Sequence, residues 1–441
     1  MHKYFFILGH SPKVSQAEIE AIFEKLPEEH NIIASSNEAL VITYKIYDNA
    51  RFQIKDLIQK LGGTIKIGKI LDEIEPEKNS NLVSEISRKL TAERLLDKYF
   101  QQNSERINFG FSAYWLDNSF PKSISKQLLK LGLELKKQLK AKGHSVRLVT
   151  SREKALSSVI VGENKLMEKG ADICFLISQN KIYLGKTLAV QEYKRFIERD
   201  YARPDRDAKS GMLPPKLARI MVNLSQARAD DVLLDPFCGS GTILQEALLL
   251  GVKKVIGSDI SQKAVQDTRS NLEWLINESE TPVNSERSRG TSRLQATCLR
   301  RSEALASRRQ ASYQLINSAI QNLPDKLKEP ADVIVTEPLL GPPLTGNESL
   351  DKIKTITENL SKLYLESFQV FSKILKKDRR IVIVFPIFKK GDEEIYLPII
   401  PDIGQMGFRI QKSLLTNARG GLVYSRPEQR VMREIFIFAR R

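Results

Sequence analysis

The run Leu233-Leu234-Asp235-Pro236-Phe237-Cys238-Gly239-Ser240-Gly241-Thr242 concentrates the chemistry of this chain. An apolar stretch ends in an acid, two glycines follow one residue apart, and helix-forming residues come next. That is the pattern of a strand turning tightly into a helix. Gly239 and Gly241 let the backbone approach a ligand, and the helix N-terminus offers unpaired N–H groups. A second part lies in register with the first. Val255–Ser258 reads as the next strand, and Asp259 closes it, 18 residues after Gly241. A carboxylate there suits hydrogen bonds to ribose hydroxyls. The third glycine of GxGxxG and the lysine of a P-loop are both absent, so the turn reads as a nucleoside site and not as a phosphate cradle. A tight turn with a helix-capping acid would explain the glycines, but not the matching Asp259.

A second acid follows the strand Asp332–Thr336, in Glu337-Pro338-Leu339-Leu340-Gly341-Pro342-Pro343. The plain interpretation is a strand end with a proline turn. Metal chemistry has no comparable support. Cys174, Cys238 and Cys298 are far apart, as are His2, His10, His30 and His144. Neither set has ligand spacing, so no metal site, no disulfide framework and a reducing compartment are expected. No apolar run reaches the roughly 18 residues of a membrane span, and no signal peptide is seen, so the expected location is cytoplasmic.

These residues need a scaffold, and from Asp231 the pattern alternates strand and helix. Val232–Leu234, Val255–Ser258, Tyr313–Ile316, Asp332–Thr336 and Arg380–Phe385 read as buried strands. Gly241–Leu250, Gln262–Leu275 and Leu350–Leu375 read as the helices between them. This is the pattern of a Rossmann-like, mostly parallel sheet. Gly421–Ser425 and Val431–Phe438 flank Arg426-Pro-Glu-Gln and predict an antiparallel edge hairpin. Met212-Leu-Pro-Pro-Lys-Leu opens a helix ahead of the first strand, with proline tolerated in its first turn.

Upstream, strands 3–9, 41–44 and 64–70 interleave with helices starting at Ser15 and at Ala50, an α+β unit of ferredoxin-like type. Ser15 and Glu18 have the spacing of a capping box. A second module holds strand 107–113, a lysine-rich amphipathic helix 123–142, strand 146–148, helix 157–169 and a hairpin of 171–177 with 181–186. The expected organisation is therefore α/β, with domains at 1–95 and 96–190, a polar linker at 191–211 and a catalytic domain at 212–441. Residues 277–311 carry seven arginines and no lysine, in a chain otherwise rich in lysine, and are expected to be a disordered insertion.

Across 441 residues, 69 Lys and Arg face 53 Asp and Glu, a formal charge of +16. Such an excess favours a polyanionic partner. Hydrophobic residues make up 41% of the chain, which suffices for more than one core.

Asp235-Pro-Phe-Cys-Gly-Ser-Gly resembles the first motif of class I methyltransferases, in particular those that methylate exocyclic base amines. The resemblance implies S-adenosylmethionine over Asp235, Pro236, Phe237, Cys238, Gly239, Gly241, Thr242, Asp259 and Ile260. It further implies that Asn317, after the third strand, touches the adenine. In that family Asp or Asn, Pro, Pro and an aromatic residue follow the fourth strand. The side-chain oxygen and a proline carbonyl accept the amine N–H groups, and the ring stacks on the base. Glu337, Pro338, Leu339 and Leu340 stand at those places as the implied catalytic residues. Glu337 is one methylene longer than Asp, and Leu340 packs without stacking as an aromatic ring does.

Further segments narrow the resemblance. Tyr4-Phe-Phe-Ile-Leu-Gly with Ser15-Gln-Ala-Glu-Ile, and Arg203-Pro-Asp-Arg-Asp with Gly211-Met-Leu-Pro-Pro-Lys-Leu-Ala-Arg-Ile-Met-Val-Asn-Leu, are similar to archaeal and eukaryotic tRNA guanosine-N2 methyltransferases acting at position ten. Residues 107–186 resemble their tRNA-gripping THUMP domain. The implied function is methyl transfer from S-adenosylmethionine to N2 of a guanosine in tRNA, with no metal and no membrane. A small activating protein partner is left unassigned. Two other readings remain at this stage: an RNA-binding protein that keeps the fold with little or no transfer, on the strength of the altered fourth motif, and an amino-methyltransferase of DNA.

Overall fold

The computed structural model describes residues 2–26, 29–44, 54–77, 80–100, 106–117, 124–206, 212–277, 312–426 and 429–441. The expected insertion at 277–311 lies outside these except for Asn277. The chain forms two compact units, residues 1–16 with 26–192 and residues 17–25 with 193–441.

The first unit is built on one sheet of eight strands: β1 (His2–Leu8), β2 (His30–Ser35), β3 (Ala39–Tyr44), β4 (Thr64–Ile74), β5 (Ile107–Trp115), β6 (Val146–Val149), β7 (Gly170–Ile177) and β8 (Ile182–Val190). Their order is β2-β3-β1-β4-β8-β7-β5-β6. The two modules expected at 1–95 and 96–190 thus share a sheet, because β4 pairs antiparallel with β8 from Lys66 opposite Val190 to Ile74 opposite Ile182. β7 and β8 form the expected hairpin, while β5 pairs parallel with β6 and β7.

The helix Ile124–Ala141 buries Ile124, Leu128, Leu131, Leu135 and Leu139 at three- and four-residue spacing. Its Lys126, Lys130, Lys137 and Lys140 are exposed. Two readings of this unit are corrected. The first helix starts at Pro12, so Ser15 lies inside it and its hydroxyl donates back to the Ser11 carbonyl. The helix expected at 157–169 breaks into Ser158–Glu163 and Leu166–Lys169, because Lys165 adopts a left-handed φ of 51°.

Charge is buried in the middle of this sheet. Lys66 Nζ lies 2.7 Å from Asp172 Oδ2, with both side chains at or below 1% exposure. Ser112 donates to Oδ1 and Thr187 to Oδ2 of the same carboxylate. A buried ion pair is tolerated when the remaining acceptors are also satisfied, and here the Cys174 thiol also donates to Asp172, alongside Lys66, Ser112 and Thr187.

The second unit contains β9 (Val232–Asp235), β10 (Lys254–Asp259), β11 (Ser312–Asn317), β12 (Ala331–Thr336), β13 (Leu375–Lys390), β14 (Glu393–Tyr396), β15 (Phe408–Ile410), β16 (Leu422–Tyr424) and β17 (Val431–Arg440). The main path is β11-β10-β9-β12-β13-β17-β15. The first five of these strands run parallel, and β17 inserts antiparallel between β13 and β15. This is the Rossmann-like sheet with an antiparallel edge that the sequence predicts. β14, β15 and the short helix Ile400–Gln405 are additions the sequence pattern does not announce. The long helix Leu350–Ile374 buries Tyr364, Phe368 and Phe371, and Phe368 meets Phe408 and Phe438 edge-on.

The expected linker at 191–211 is corrected in part. Tyr193–Ile197 and Glu198–Ala202 are helical. Arg199 Nε reaches Glu246 Oε1 at 2.5 Å and Arg219 Nε reaches Oε2 at 2.6 Å, so the wholly buried Glu246 ties this segment into the second unit.

Candidate active site

Strand order reverses at β9, with β10 on one side and β12 on the other. The crevice beyond the carboxyl ends of such strands is where ligands bind in open α/β sheets. Both chemistry-bearing segments leave the sheet there: Asp235 ends β9, and Glu337 follows the last residue of β12.

Asp235 is 1% exposed. Its Oδ1 accepts from the Thr336 hydroxyl at 2.7 Å and from the Phe237 N–H at 3.2 Å. Burial pushes its carboxyl up to about 7, against the opposing pull of those two donors. The glycine turn begins directly after it. Gly239 and Gly241 have φ of 52° and 81°. A Cβ at Gly239 would meet nothing within 4 Å, so the turn faces open space, whereas one at Gly241 would lie 2.8 Å from Thr268. The turn is fastened from the helix Gln262–Asn277: Thr268 donates to the Gly239 carbonyl and Asn271 to the Ser240 carbonyl. Cys238 is buried beneath it, and burial pushes its thiol up, which suits packing rather than nucleophilic work.

Asp259 crosses from the next strand. Its Oδ2 accepts from the Gly239 N–H at 3.0 Å and its Oδ1 from the Ser261 N–H at 2.9 Å. Each oxygen keeps a second lone pair for ribose hydroxyls. The neighbouring Ile260 is 76% exposed, an apolar surface beside an acid. Asn317, at the end of β11, donates to the carbonyls of Asp259 and Ile260, leaving its own side-chain oxygen as an acceptor. An open glycine turn, an acid and an exposed aliphatic side chain fit the amino-acid, ribose and base parts of S-adenosylmethionine. Gly239, Gly241, Asp259 and the exposed Ile260 border that space, with Thr242 opening the helix behind the turn, whereas Asp235 and Cys238 lie buried beneath it.

At the end of β12, Pro338 is buried, Leu340 half-buried and Leu339 58% exposed. Tyr364 donates to the Val384 carbonyl at 2.9 Å and lies 3.4 Å from the Leu339 carbonyl, so it braces the backbone beneath the motif. Glu337 is held by Arg433 of β17, which donates from Nε and Nη2 to its two oxygens at 2.6 and 2.9 Å. Sequence reasoning missed Arg433, Thr336 and Tyr364. Arg433 and Glu337 are 96 residues apart, and only the β12-β13-β17 order brings them together. Arg203 had no role of its own in the sequence pattern. It is 3% exposed and donates to the Thr242 hydroxyl at 2.6 Å. Among the described residues no cluster of His, Cys, Asp and Glu could hold a metal ion, and no helix is long and apolar enough to cross a membrane.

The strand order, the open glycine turn and the acid at the end of the second strand together define a class I methyltransferase fold. Solved structures share this fold: TrmN from Thermus thermophilus superposes with a TM-score of 0.54 at 15% identity over 100% of both chains. A possible methylase from Clostridium difficile 630 gives 0.50 at 15% identity, over 100% of this chain and 98% of that one. Residues 203–390 match the family described as RMKL-like, methyltransferase domain. Part of the chain is also similar to tRNA (guanine(10)-N2)-dimethyltransferases. The chain is 44% identical over 100 residues to that of Methanothermobacter thermautotrophicus, 22% of this chain and 29% of the relative. Against that of Methanocaldococcus jannaschii it is 38% identical over 103 residues, 22% of this chain and 27% of the relative. The matched stretch thus spans less than a third of either relative's length.

Proposed function

We propose that this protein transfers a methyl group from S-adenosylmethionine to the exocyclic N2 of a guanosine in tRNA. The observation that carries the reading is the junction of the two motifs: Thr336, the residue before Glu337, is hydrogen-bonded to Asp235 of the glycine-turn motif. Cofactor motif and amine motif therefore open into one crevice. When bound, S-adenosylmethionine supplies a sulfonium-borne methyl group, which the amine nitrogen takes up as a proton is lost and a neutral thioether is released. The protein's share is orientation. Asp259 and Ile260 hold the nucleoside end, Glu337 accepts an amine N–H, and the Pro338 carbonyl offers a second acceptor. Aligning two reactants in this way supplies a large part of such a rate enhancement. The target base must leave its stack, at about a few kcal/mol, met by RNA contacts elsewhere.

The tRNA substrate rests on the names of the relatives, the +16 charge and the lysine-rich face of Ile124–Ala141 in the THUMP-like part of the first unit. A tRNA-modifying role agrees with a cytoplasmic location. The competing reading is an RNA-binding protein with a silent transferase fold. It is favoured by Leu340, which stands where an aromatic ring would stack.

The test is incubation of unmodified tRNA with the protein and labelled S-adenosylmethionine, followed by digestion to nucleosides and mass spectrometry. Label in N2-methylguanosine is expected. Retained tRNA binding with no label would replace the proposal by the silent-fold reading.

A further inference from the structure

Glu337 is one methylene longer than the Asp or Asn usual in amino-methyltransferases, and the extra torsion gives its carboxylate more positions to sample. In this fold it does not sample them freely. Arg433 approaches across the end of β13, where it pairs with Pro386, and engages both carboxylate oxygens in a fork. The side chains of Arg433 and Glu337 are 10% and 9% exposed. Two parallel hydrogen bonds from a planar guanidinium fix the plane of a carboxylate as well as its distance. The backbone on both sides is held too: Thr336 by strand pairing with β13, with its hydroxyl on Asp235, and Arg433 by strand pairing with β13 and β16.

We infer that Arg433 is the positioning residue of the amine-binding site: its fork occupies the facing lone pairs of both Glu337 oxygens and leaves one outward lone pair on each to accept an N–H of the target amine. The inference rests on the transferase reading above. A carboxylate oxygen offers two acceptor sites, so a forked partner does not use up Glu337; it selects which directions remain. The longer side chain is thereby given a fixed reach. The pairing also sets the guanidinium charge against the carboxylate charge beside the wholly buried Asp235, which limits repulsion between the two acids. The function requires the pair as a unit, so removing either member should disable the same step.

Four variants test this in the full-length protein: E337Q, R433M, R433K and the double variant E337Q/R433M. Steady-state methyl transfer to tRNA gives kcat and KM, and calorimetry on the RNA-free protein gives S-adenosylmethionine affinity. The expectation for R433M is a kcat lower by about 100-fold, with KM and cofactor affinity within about threefold, as for lost orientation. R433K, which keeps the positive charge but not the planar fork, should lose only about tenfold. The double variant should be no slower than the slower single one, because both changes remove one interaction. Unchanged kcat in R433M, or losses that multiply in the double variant, would overturn the inference. If R433M does not fold, R433K decides: a lowered kcat at steady KM supports it and an unchanged kcat overturns it. Absence of transfer by the unaltered protein would overturn the proposed function and this inference with it, whereas an active R433M overturns this inference alone.

Discussion

The Thr336 hydroxyl donates to Asp235 Oδ1 at 2.7 Å, joining the last residue of β12 to the last residue of β9 at the reversal of the sheet. Both bonds to this carboxylate, from Thr336 and from the Phe237 N–H, fall on Oδ1. Burial pushes this carboxyl up to about 7, so it takes up a proton at higher pH than an ordinary aspartate.

The sign of the resulting pH dependence is fixed. Asp235 is raised in the folded state, so its contribution to stability is fully present below the unfolded pKa of about 3.9 and is lost as pH rises through about 7. The cofactor-free protein should lose melting temperature between pH 5 and 8 through this group, with a slope of at most about 1.4 kcal/mol per pH unit. Asp235→Asn should flatten that part of the curve. A variant curve parallel to the unaltered one, by calorimetric melting at several pH values, would contradict the assignment.

A cation placed against Asp235 favours its charged form. Binding of S-adenosylmethionine near pH 6 should therefore release a fraction of a proton. Titration calorimetry in two buffers of different ionisation enthalpy measures it directly. Equal apparent enthalpies in both buffers would show that Asp235 does not sense the cofactor.

Gly241→Ala combines two penalties. Its φ of 81° disfavours a side chain, and the new Cβ would press on Thr268 at 2.8 Å. A left-handed non-glycine residue costs about 1–3 kcal/mol. Equilibrium unfolding should show a loss of that order, with cofactor affinity falling further than at an outlying glycine. Asp259→Ala should instead leave the fold standing and weaken cofactor binding by about tenfold or more, since a good hydrogen bond to a charged group contributes roughly 1.5–3 kcal/mol. Equilibrium dialysis checks the second; an unaltered Kd would remove Asp259 from the site.

In the first unit, Lys66→Met would leave Asp172 buried with only neutral donors, the Ser112 and Thr187 hydroxyls and the Cys174 thiol. Breaking a buried pair in this way costs about 3–5 kcal/mol. Denaturant unfolding should show that loss, and a double change of Lys66 and Asp172 to apolar residues of similar size should recover much of it.

The second unit is largely legible because its signals are local. Asp235 through Thr242 specify a strand, a turn and a helix within ten residues, and buried strands such as Ile381–Phe385 read as apolar runs. Asn317 can be placed even after the long insertion, because Tyr313–Ile316 is a short apolar run ending at a polar residue, and β11 does end there. What is not legible depends on strand order. No spacing rule links Glu337 to Arg433 or Thr336 to Asp235, since these contacts form only after β9, β12, β13 and β17 are laid side by side. The start of the helix Pro12–Phe23 is missed because a Ser and a Glu three apart imitate a cap wherever they occur. Residues 193–202 resemble a linker because they are polar, yet Arg199 is buried against Glu246 and serves as an internal charge. Composition alone cannot distinguish a buried arginine from a solvated one.

The pairing of β4 with β8 has a consequence for how this protein can be divided. From Ile182 to Val190, the backbone of β8 finds partners on one side only in β4, which the chain supplies more than a hundred residues earlier. A fragment starting near residue 96 would expose that margin as a flat, unpaired strand, the kind of edge that recruits other chains. Such a fragment is expected to aggregate, and the two parts of the eight-stranded sheet to be inherited, expressed and exchanged together.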